Sequence, residues 1–177
     1  MKEEKLVNSQ ELQLILERLA AQILEKHMET RELFLVGIQR RGADLAKRLA
    51  TILGRHRQLP PTGSLDINLY RDDWTALKGG APLIGQSHMP PNIDESSIIL
   101  VDDVLFTGRT IRAALEAILD YGRPRQVELL VLVDRGHREL PIQANYIGRK
   151  VETAKNQQVN VLLEERDGAD EIILKEI

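Results

Sequence analysis

The stretch Ile98-Ile99-Leu100-Val101-Asp102-Asp103-Val104-Leu105-Phe106-Thr107-Gly108-Arg109-Thr110 decides the fold of this chain. Four large apolar residues run directly into two acids, a pattern typical of a buried strand whose carboxyl end reaches solvent. After the Thr-Gly-Arg-Thr segment, apolar residues recur at helical spacing from 111 to 119. We therefore predict a strand, an acidic edge, a loop and a helix, in that order. Open α/β sheets bind their ligands outside the carboxyl ends of such strands.

The residues of this loop are suited to a sugar phosphate. Backbone N–H groups at the start of a helix lack partners within the helix, and together with the helix dipole they favour an anion. A glycine lets the backbone approach a ligand closely, and the two threonines and the arginine add donors and charge. The carboxylates of Asp102 and Asp103 can accept hydrogen bonds from the vicinal hydroxyls of a ribose. Neither the Walker spacing nor the dinucleotide-binding G-x-G-x-x-G spacing is present.

Composition narrows the class of protein further. A chain of 177 residues predicts one domain, residues 1–177, with a sizeable core. Zero cysteines exclude disulfides, thiol nucleophiles and cysteine-based zinc sites, and fit a cytoplasmic protein. No window is long and apolar enough to span a membrane, and the amino-terminal residues do not resemble a signal peptide. Because the formal net charge is −3, any nucleic-acid site must be a local basic patch.

A second strand–loop–helix unit precedes the first along the chain. Residues 33–38 predict a buried strand, which leads through Gln39-Arg40-Arg41-Gly42 into a helix that ends at Gly54. Two arginines at a helix amino terminus are electrostatically unfavourable unless an anion is bound there. The unit therefore predicts a second anion-binding loop.

Other segments predict the remaining elements. Ser9 is predicted to cap an amphipathic first helix, and residues 126–133 to form another buried strand. Residues 64–70 predict a strand, followed by a mobile glycine-rich segment around 78–82 and a returning arm over 82–88. Residues 164–177 predict a final hairpin around Asp167-Gly168.

Residues 98–110 resemble the phosphoribosyl-pyrophosphate (PRPP) motif of the type I phosphoribosyltransferases. Residues 66–73, 121–124 and above all 131–142 (Val-Leu-Val-Asp-Arg-Gly-His-Arg-Glu-Leu-Pro-Ile) resemble one branch of that family. Members of this branch combine uracil phosphoribosyltransferase activity with regulation of pyrimidine operons. The resemblance covers nearly the whole chain. It implies an α/β fold of the type I phosphoribosyltransferase kind: a parallel sheet flanked by helices, with a flexible hairpin and a small hood at about 134–160.

The resemblance also implies a reaction and a site. Uracil and PRPP would give UMP and pyrophosphate, with Mg²⁺ bound through PRPP near Asp102 and Asp103. Catalytic roles would fall to Asp102, Asp103 and Arg71, with Arg71 reaching the leaving group when the hairpin closes. The substrate-binding residues implied for pyrophosphate, the 5′-phosphate and the base are Arg40, Arg41, Gly42, Val104, Leu105, Phe106, Thr107, Gly108, Arg109, Thr110, Arg135 and Ile142.

The same branch binds the leader of pyrimidine-operon messenger RNA and senses UMP. The RNA-binding candidates implied here are the basic residues Arg138, Arg149, Lys150, Lys155 and Arg18. A homo-oligomer built from dimers is also implied. Three segments depart from the branch: Gln39-Arg40-Arg41 replaces a small hydroxyl residue followed by one arginine, Gln143 replaces a basic residue, and Glu152-Thr153-Ala154 replaces Pro-Thr-Ser. Two alternatives stay open: a phosphoribosyltransferase for another base, or an RNA-binding nucleotide sensor with little catalysis.

Overall fold

The computed structural model describes residues 3–72 and 85–177, and its main layer is a five-stranded parallel sheet. The strand order is β3-β2-β4-β5-β6, so the strand of the central motif, β4, lies in the middle. The strands of this sheet are β2 (Leu33–Ile38), β3 (Thr62–Leu65), β4 (Ser97–Leu105), β5 (Gln126–Asp134) and β6 (Tyr146–Lys150). The predicted α/β architecture with a parallel sheet is confirmed.

Helices cover both faces of the sheet, which explains the unbroken apolar run in β4. Ile99 and Val101 join the core beneath α1 (Ser9–His27) and α2 (Arg41–Leu53). Ile98 and Leu100 join the core beneath α3 (Arg109–Leu119) on the opposite face. A strand buried on both faces needs apolar residues at every position rather than at alternate ones.

The first helix forms as predicted but begins one residue earlier, because Asn8 and not Ser9 caps it. The Asn8 side chain accepts a hydrogen bond from the backbone of Glu11, whose carboxylate accepts one from the Asn8 backbone in return. This reciprocal arrangement is a capping box. Ser9 is consequently the first helical residue, because the asparagine before it already provides the cap.

The two ends of the chain form a second, three-stranded antiparallel sheet with the strand order β1-β8-β7. It contains β1 (Glu3–Val7), β7 (Gln157–Leu162) and β8 (Glu171–Glu176). The prediction of a hairpin within 164–177 is therefore wrong in its pairing: β8 pairs with β7, and residues 164–167 form the short helix α4 in their connection. Gly168, with φ of +70°, ends that helix, as a left-handed residue commonly does.

The segment after β3 also differs from its prediction. The strand ends at Leu65, and Asn68–Tyr70 form one turn of 3-10 helix instead of continuing the strand to residue 70. The Asp66 carboxylate accepts a hydrogen bond from the Asn68 backbone, which turns the chain. Of the predicted returning arm, His88 forms an antiparallel bridge with Ser64. The glycine-rich segment and residues 82–84 of that arm lie outside the described residues.

Residues 134–160, predicted to contain the hood, do not form one separate layer. β6 lies within them and completes the main sheet, whereas β7 belongs to the second sheet. In the described part of the chain, no helix has the length and apolar character needed to cross a membrane.

Candidate active site

A cavity of about 660 Å³ opens at the carboxyl ends of β2, β3 and β4. This is the edge at which parallel α/β sheets bind ligands. Its walls come from the loops after those three strands and from the beginning of α3. They comprise Ile38, Gln39, Arg40, Arg41, Asp66, Ile67, Asn68, Arg71, Gly85, Asp102, Asp103, Val104 and Thr110. The structure thus brings together the acid pair, the two adjacent arginines, Arg71 and one threonine of the central motif.

The turn from β2 into α2 is tight because two glycines meet there. A Cβ added to Gly37 would lie 2.2 Å from the carbonyl oxygen of Gly42. A Cβ on Gly42 would in turn lie 2.4 Å from the carbonyl oxygen of Val101 in β4. Because neither position has room for a side chain, the start of α2 lies directly against β4. Gly42 therefore has a packing role whether or not it touches a ligand.

The two arginines in this turn have different surroundings. The Arg41 guanidinium binds both oxygens of the Asp167 carboxylate, at 2.9 Å from Nη2 and 3.3 Å from Nε. Arg40 is exposed, and no hydrogen bond or ion pair joins its side chain to another residue of the described ranges. The peptide bond between Gln39 and Arg40 is cis.

The acid pair lies within β4 rather than beyond its end, since the strand continues to Leu105. Asp102 is buried and Asp103 is partly exposed, as expected for adjacent residues of a strand. Burial, reinforced by the charge of Asp103, raises the pKa of Asp102 well above its usual range. Each carboxylate also accepts a hydrogen bond from the next backbone N–H, at 2.9 and 2.8 Å. Both carboxyl groups are therefore held in fixed orientations on the cavity wall.

The loop before α3 has the conformation that its glycine permits. Gly108 has a φ of +92° and precedes the first helical residue, and its own residue type provides no side-chain cap for the N–H groups at the start of α3. The Thr107 hydroxyl accepts a hydrogen bond from the Arg109 backbone at 3.3 Å. A smaller cavity of about 170 Å³ lies here, lined by Arg71, Asp72, Thr107, Arg109 and Thr110. Arg71 and Thr110 line both cavities, so the two cavities adjoin.

The Arg109 side chain bridges two carboxylates across this loop. Its Nη1 lies 2.7 Å from Asp72 and its Nε lies 2.7 Å from Glu139. The hydrogen bond from Arg109 lowers the pKa of Asp72 below its usual range. The guanidinium thus joins the chain just before residue 73 to the segment that follows β5.

Residues 135–142, which we call the base loop, are attached to residues 105–108 by main-chain hydrogen bonds. Arg135 N donates to Leu105 O at 3.1 Å, and Glu139 N donates to Thr107 O at 2.9 Å. Ile142 packs above Gly108, where an added Cβ would lie 3.3 Å from the Ile142 Cβ. The base loop and the loop before α3 therefore form one continuous wall.

Two arginines of the base loop are directed inward. Arg135 is 6% exposed, its guanidinium carbon lies 4.0 Å from the centre of the Phe106 ring, and it donates to the Gln157 carbonyl oxygen at 2.5 Å. Burial lowers the pKa of Arg135 below its usual value. Arg138 binds both oxygens of Asp134, at 2.7 and 2.6 Å, and donates to Phe106 O at 2.7 Å. Arg135 does not line the large cavity and instead stacks on the Phe106 ring.

A third cavity, of about 380 Å³, lies at the carboxyl ends of β5 and β6. Its lining includes Arg135, His137, Arg138 and Lys150. Lys150 and Lys155 are exposed, and neither has an ion pair among the described residues.

Two other RNA-binding candidates, Arg18 and Arg149, donate hydrogen bonds to main-chain oxygens of this chain. Arg18 donates to the carbonyl oxygens of Ile147 and Gly148, and Arg149 donates to that of Leu6 at 2.8 Å. The five candidates are thus not equally available to a partner: three make main-chain contacts, and two extend into solvent.

Several residues of the site were not predicted from the sequence, and three of them are polar side chains with a clear place in it. Gln39 and Asp66 line the large cavity, and Asp167 contacts Arg41. Asp66 follows the last residue of β3, so the carboxyl-edge rule would have found it had that strand been ended at Leu65. Asp167 has no comparable signal, because its partner is 126 residues away.

Comparison with known proteins agrees with this geometry. Residues 3–166 match the phosphoribosyl transferase domain family. The fold is similar to the hypoxanthine phosphoribosyltransferase of Trypanosoma cruzi, with a TM-score of 0.74 at 15% identity over 98% of this chain and 96% of that one. The fold and the sequence match together define a phosphoribosyltransferase.

More similar relatives place the chain within that class. It is 50% identical to the bifunctional protein PyrR of Desulfosudis oleivorans, over 95% of this chain and 93% of the relative. It is 47% identical to the PyrR of Syntrophobacter fumaroxidans, over 96% and 91% of the two chains. The chain therefore belongs to the family of bifunctional PyrR proteins.

Proposed function

We propose that this protein transfers the ribose 5-phosphate group of PRPP to uracil, giving UMP and pyrophosphate. The observation that carries the proposal is the cavity at the carboxyl edge of the sheet, with an acid pair on one wall and the start of α3 beside it. A sugar carrying two phosphate groups needs both features at once. Family membership supports the same reaction.

Two groups of residues along the cavity are assigned to the two phosphate sites of PRPP. The free N–H groups at the start of α3, together with Thr107 and Thr110, receive the 5′-phosphate. Arg40 and Arg41, in the turn before α2, receive the pyrophosphate, and Arg71 adds charge from the far wall. Such an enzyme works mainly by holding its substrates in position and by stabilising charge.

Asp102 and Asp103 hold the ribose between the two phosphate sites. Positive charge develops on the ribose ring as pyrophosphate leaves, and a carboxylate beside the ring stabilises that charge. The partly exposed Asp103 is the better placed of the two, since Asp102 is buried and resists ionisation. Val104, Leu105 and Phe106 set the distance between the acids and the phosphate loop.

The oxygen donors of the cavity suit Mg²⁺ that arrives with PRPP. No cage of three or more acidic or histidine ligands is found in the described ranges, so a metal would depend on substrate oxygens. Mg²⁺ commonly binds in this way, through one or two carboxylates, phosphates and water. One oxygen of Asp66 is buried with no hydrogen-bond partner among the described residues, and it is a further acceptor on the same wall. The bound metal would neutralise charge on the pyrophosphate.

The base is expected to lie against the base loop. Ile142, directly above Gly108, offers an apolar wall next to the phosphate site. Arg135 supports the opposite wall through Phe106. We assign the hood of the fold to this loop together with the chain that follows β6.

Measuring UMP formation from uracil, PRPP and Mg²⁺ tests the proposal. Uracil should be converted, and orotate, hypoxanthine and guanine should be poor substrates under the same conditions. No product from uracil at saturating PRPP would contradict the enzyme assignment. Preference for a purine or for orotate would contradict the base assignment.

Regulation of pyrimidine operons through leader RNA is the second activity that we propose, and the bifunctional relatives support it. Lys150 and Lys155 supply exposed positive charge near the third cavity. Affinity for the RNA should fall steeply with salt, because each phosphate contact releases counterions. Binding that is insensitive to both UMP and salt would contradict this activity. We expect the protein to be cytoplasmic. We also expect a homo-oligomer built from dimers, and sedimentation would test this oligomeric state.

A further inference from the structure

Helix α2 is joined to the connection between β7 and β8 by four pairs of oppositely charged side chains. Arg41, Asp44 and Arg48 lie on one side of the helix at spacings of three and four, and each pairs with a residue of 165–170. We call this set the α2–α4 clamp; its members are Arg41 with Asp167, Asp44 with Arg166, and Arg48 with both Glu165 and Asp170. Of these residues only Arg41 lines the large cavity.

Asp167 is held in place independently of Arg41. One of its carboxylate oxygens accepts a hydrogen bond from the Leu163 backbone at 2.9 Å. That hydrogen bond, and then the one from Arg41, lower the pKa of Asp167 below its usual range. The carboxylate is therefore ionised at neutral pH, and it neutralises the Arg41 guanidinium before any ligand arrives.

Among the described residues, Arg40 has no such counter-charge. Its side chain is exposed on the cavity wall, without an ion pair to any residue in 3–72 or 85–177. An anion entering the cavity thus meets one compensated arginine and one uncompensated arginine in adjacent positions. Arg40 is also the residue that departs from the branch pattern, where a small hydroxyl residue is expected.

We propose that Asp167 competes with pyrophosphate for Arg41, so that Arg40 provides most of the side-chain affinity for pyrophosphate in this protein. The inference rests on the proposed function, because it assigns the leaving group to this wall of the cavity. Asp167 is then a residue that limits affinity for a product, acting through Arg41 from the connection between β7 and β8. A lower affinity for pyrophosphate favours its release after transfer.

Calorimetric titration with inorganic pyrophosphate and Mg²⁺ tests the competition for Arg41 without turnover. Arg40→Gln should weaken binding about tenfold or more, as expected for loss of hydrogen bonds between charged groups. Arg41→Gln should weaken it less, because the donors that are lost already bind the Asp167 carboxylate. Asp167→Asn should tighten binding about two- to fivefold, the scale of an exposed ion pair. Asparagine can still accept the Leu163 hydrogen bond, so the connection should keep its shape.

Two controls separate this competition from a general change of charge. Glu165→Gln removes a carboxylate from the same clamp, but its partner Arg48 does not line the cavity. We expect unchanged pyrophosphate affinity in that variant. In the double variant Arg41→Gln/Asp167→Asn, the gain from Asp167→Asn should disappear.

The outcomes also distinguish this inference from the proposed function. If the unmodified protein does not bind Mg²⁺–pyrophosphate, the proposed function itself fails. If it binds, weaker or unchanged binding by Asp167→Asn overturns the competition. A larger loss from Arg41→Gln than from Arg40→Gln overturns the division of roles between the two arginines.

Discussion

The Nη1 atom of Arg138 donates a 2.7 Å hydrogen bond to the main-chain oxygen of Phe106, and its Nη2 atom donates to both carboxylate oxygens of Asp134. A third contact, from Nε to Ile142 O at 3.0 Å, reaches the end of the base loop. One side chain thus joins the end of β5, the loop before α3 and the base loop. A substitution of Arg138 should therefore disturb substrate binding as well as any RNA-binding surface.

Arg138→Ala is expected to raise the KM for PRPP about fivefold or more, since several hydrogen bonds to a charged group are lost together. It should weaken binding of pyrimidine-leader RNA in the same preparation. Steady-state kinetics and an RNA titration measure the two effects. An unchanged KM would show that the contacts with Phe106 and Ile142 do not position the substrate loops.

Arg138→Lys and the pair Lys150→Ala/Lys155→Ala serve as matched controls. Lysine keeps the charge but cannot form the same planar fork of hydrogen bonds. It should therefore resemble Arg138→Ala in its KM for PRPP. The exposed lysine pair should lower RNA affinity and the salt dependence of binding while kinetics stay unchanged. The opposite pattern would place Arg138 on the RNA surface and not within the substrate site.

Asp103→Asn is expected to lower kcat about tenfold or more, because it removes a charged acceptor where positive charge develops on the ribose. The side-chain oxygen of the introduced asparagine can still accept the hydrogen bond that Asp103 accepts from the Val104 backbone at 2.8 Å. The strand should therefore stay intact, and circular dichroism should show an unchanged fold. If kcat is unaffected, the role belongs to Asp102 or to neither residue.

Asp102→Asn should stabilise the protein at neutral pH while reducing its activity. Burial, aided by the charge of Asp103, raises the pKa of Asp102 in the folded state. A folded state that binds a proton more tightly than the unfolded state loses stability as pH rises from about 4 towards the raised pKa. Asparagine cannot ionise, so the Tm of this variant should exceed that of the unmodified protein at pH 7 and match it near pH 4.

Thermal unfolding across that pH range, without Mg²⁺ or PRPP, is the measurement. Glu29→Gln provides a control, because Glu29 is exposed and lies at the opposite edge of the sheet beside a different cavity. We expect that control to show the same pH dependence as the unmodified protein. Equal Tm values for Asp102→Asn and the unmodified protein at pH 7 would mean that burial of Asp102 costs no stability.

The elements that position the site could be predicted because their signals are local. The apolar run before Asp102 and the helical spacing after Thr110 lie within about twenty residues of each other, and both strand–loop–helix units were found in this way. The end of β4 was harder to predict. The acid pair belongs to the strand, which continues to Leu105 because its pairing with β5 extends that far, whereas its pairing with β2 ends at Val101.

Features that depend on distant partners could not be predicted. Residues 3–7 are three charged residues followed by two apolar ones, which is not the alternation of a strand, and they form β1 beside β8. The contact between Arg41 and Asp167 spans most of the chain, so no spacing in the sequence indicates it. Residues 66–70 leave the strand because Asp66 turns the backbone, a local signal that β-favouring neighbours obscured.

The α2–α4 clamp predicts acid sensitivity. Hydrogen bonds from Arg48 lower the pKa of both Glu165 and Asp170 below their usual values. A carboxylate whose pKa is lower in the folded state adds stability above its unfolded pKa, about 4.3 for Glu and 3.9 for Asp, and this stability is lost as pH falls further. Arg48→Met should therefore lower Tm at pH 7 but flatten the decline of Tm below about pH 4. Lys47→Met is the matched control, since Lys47 is exposed on the same helix and has no ion pair within the described ranges. Curves for Arg48→Met and the unmodified protein that stay parallel down to pH 3 would show that the clamp contributes nothing to acid unfolding.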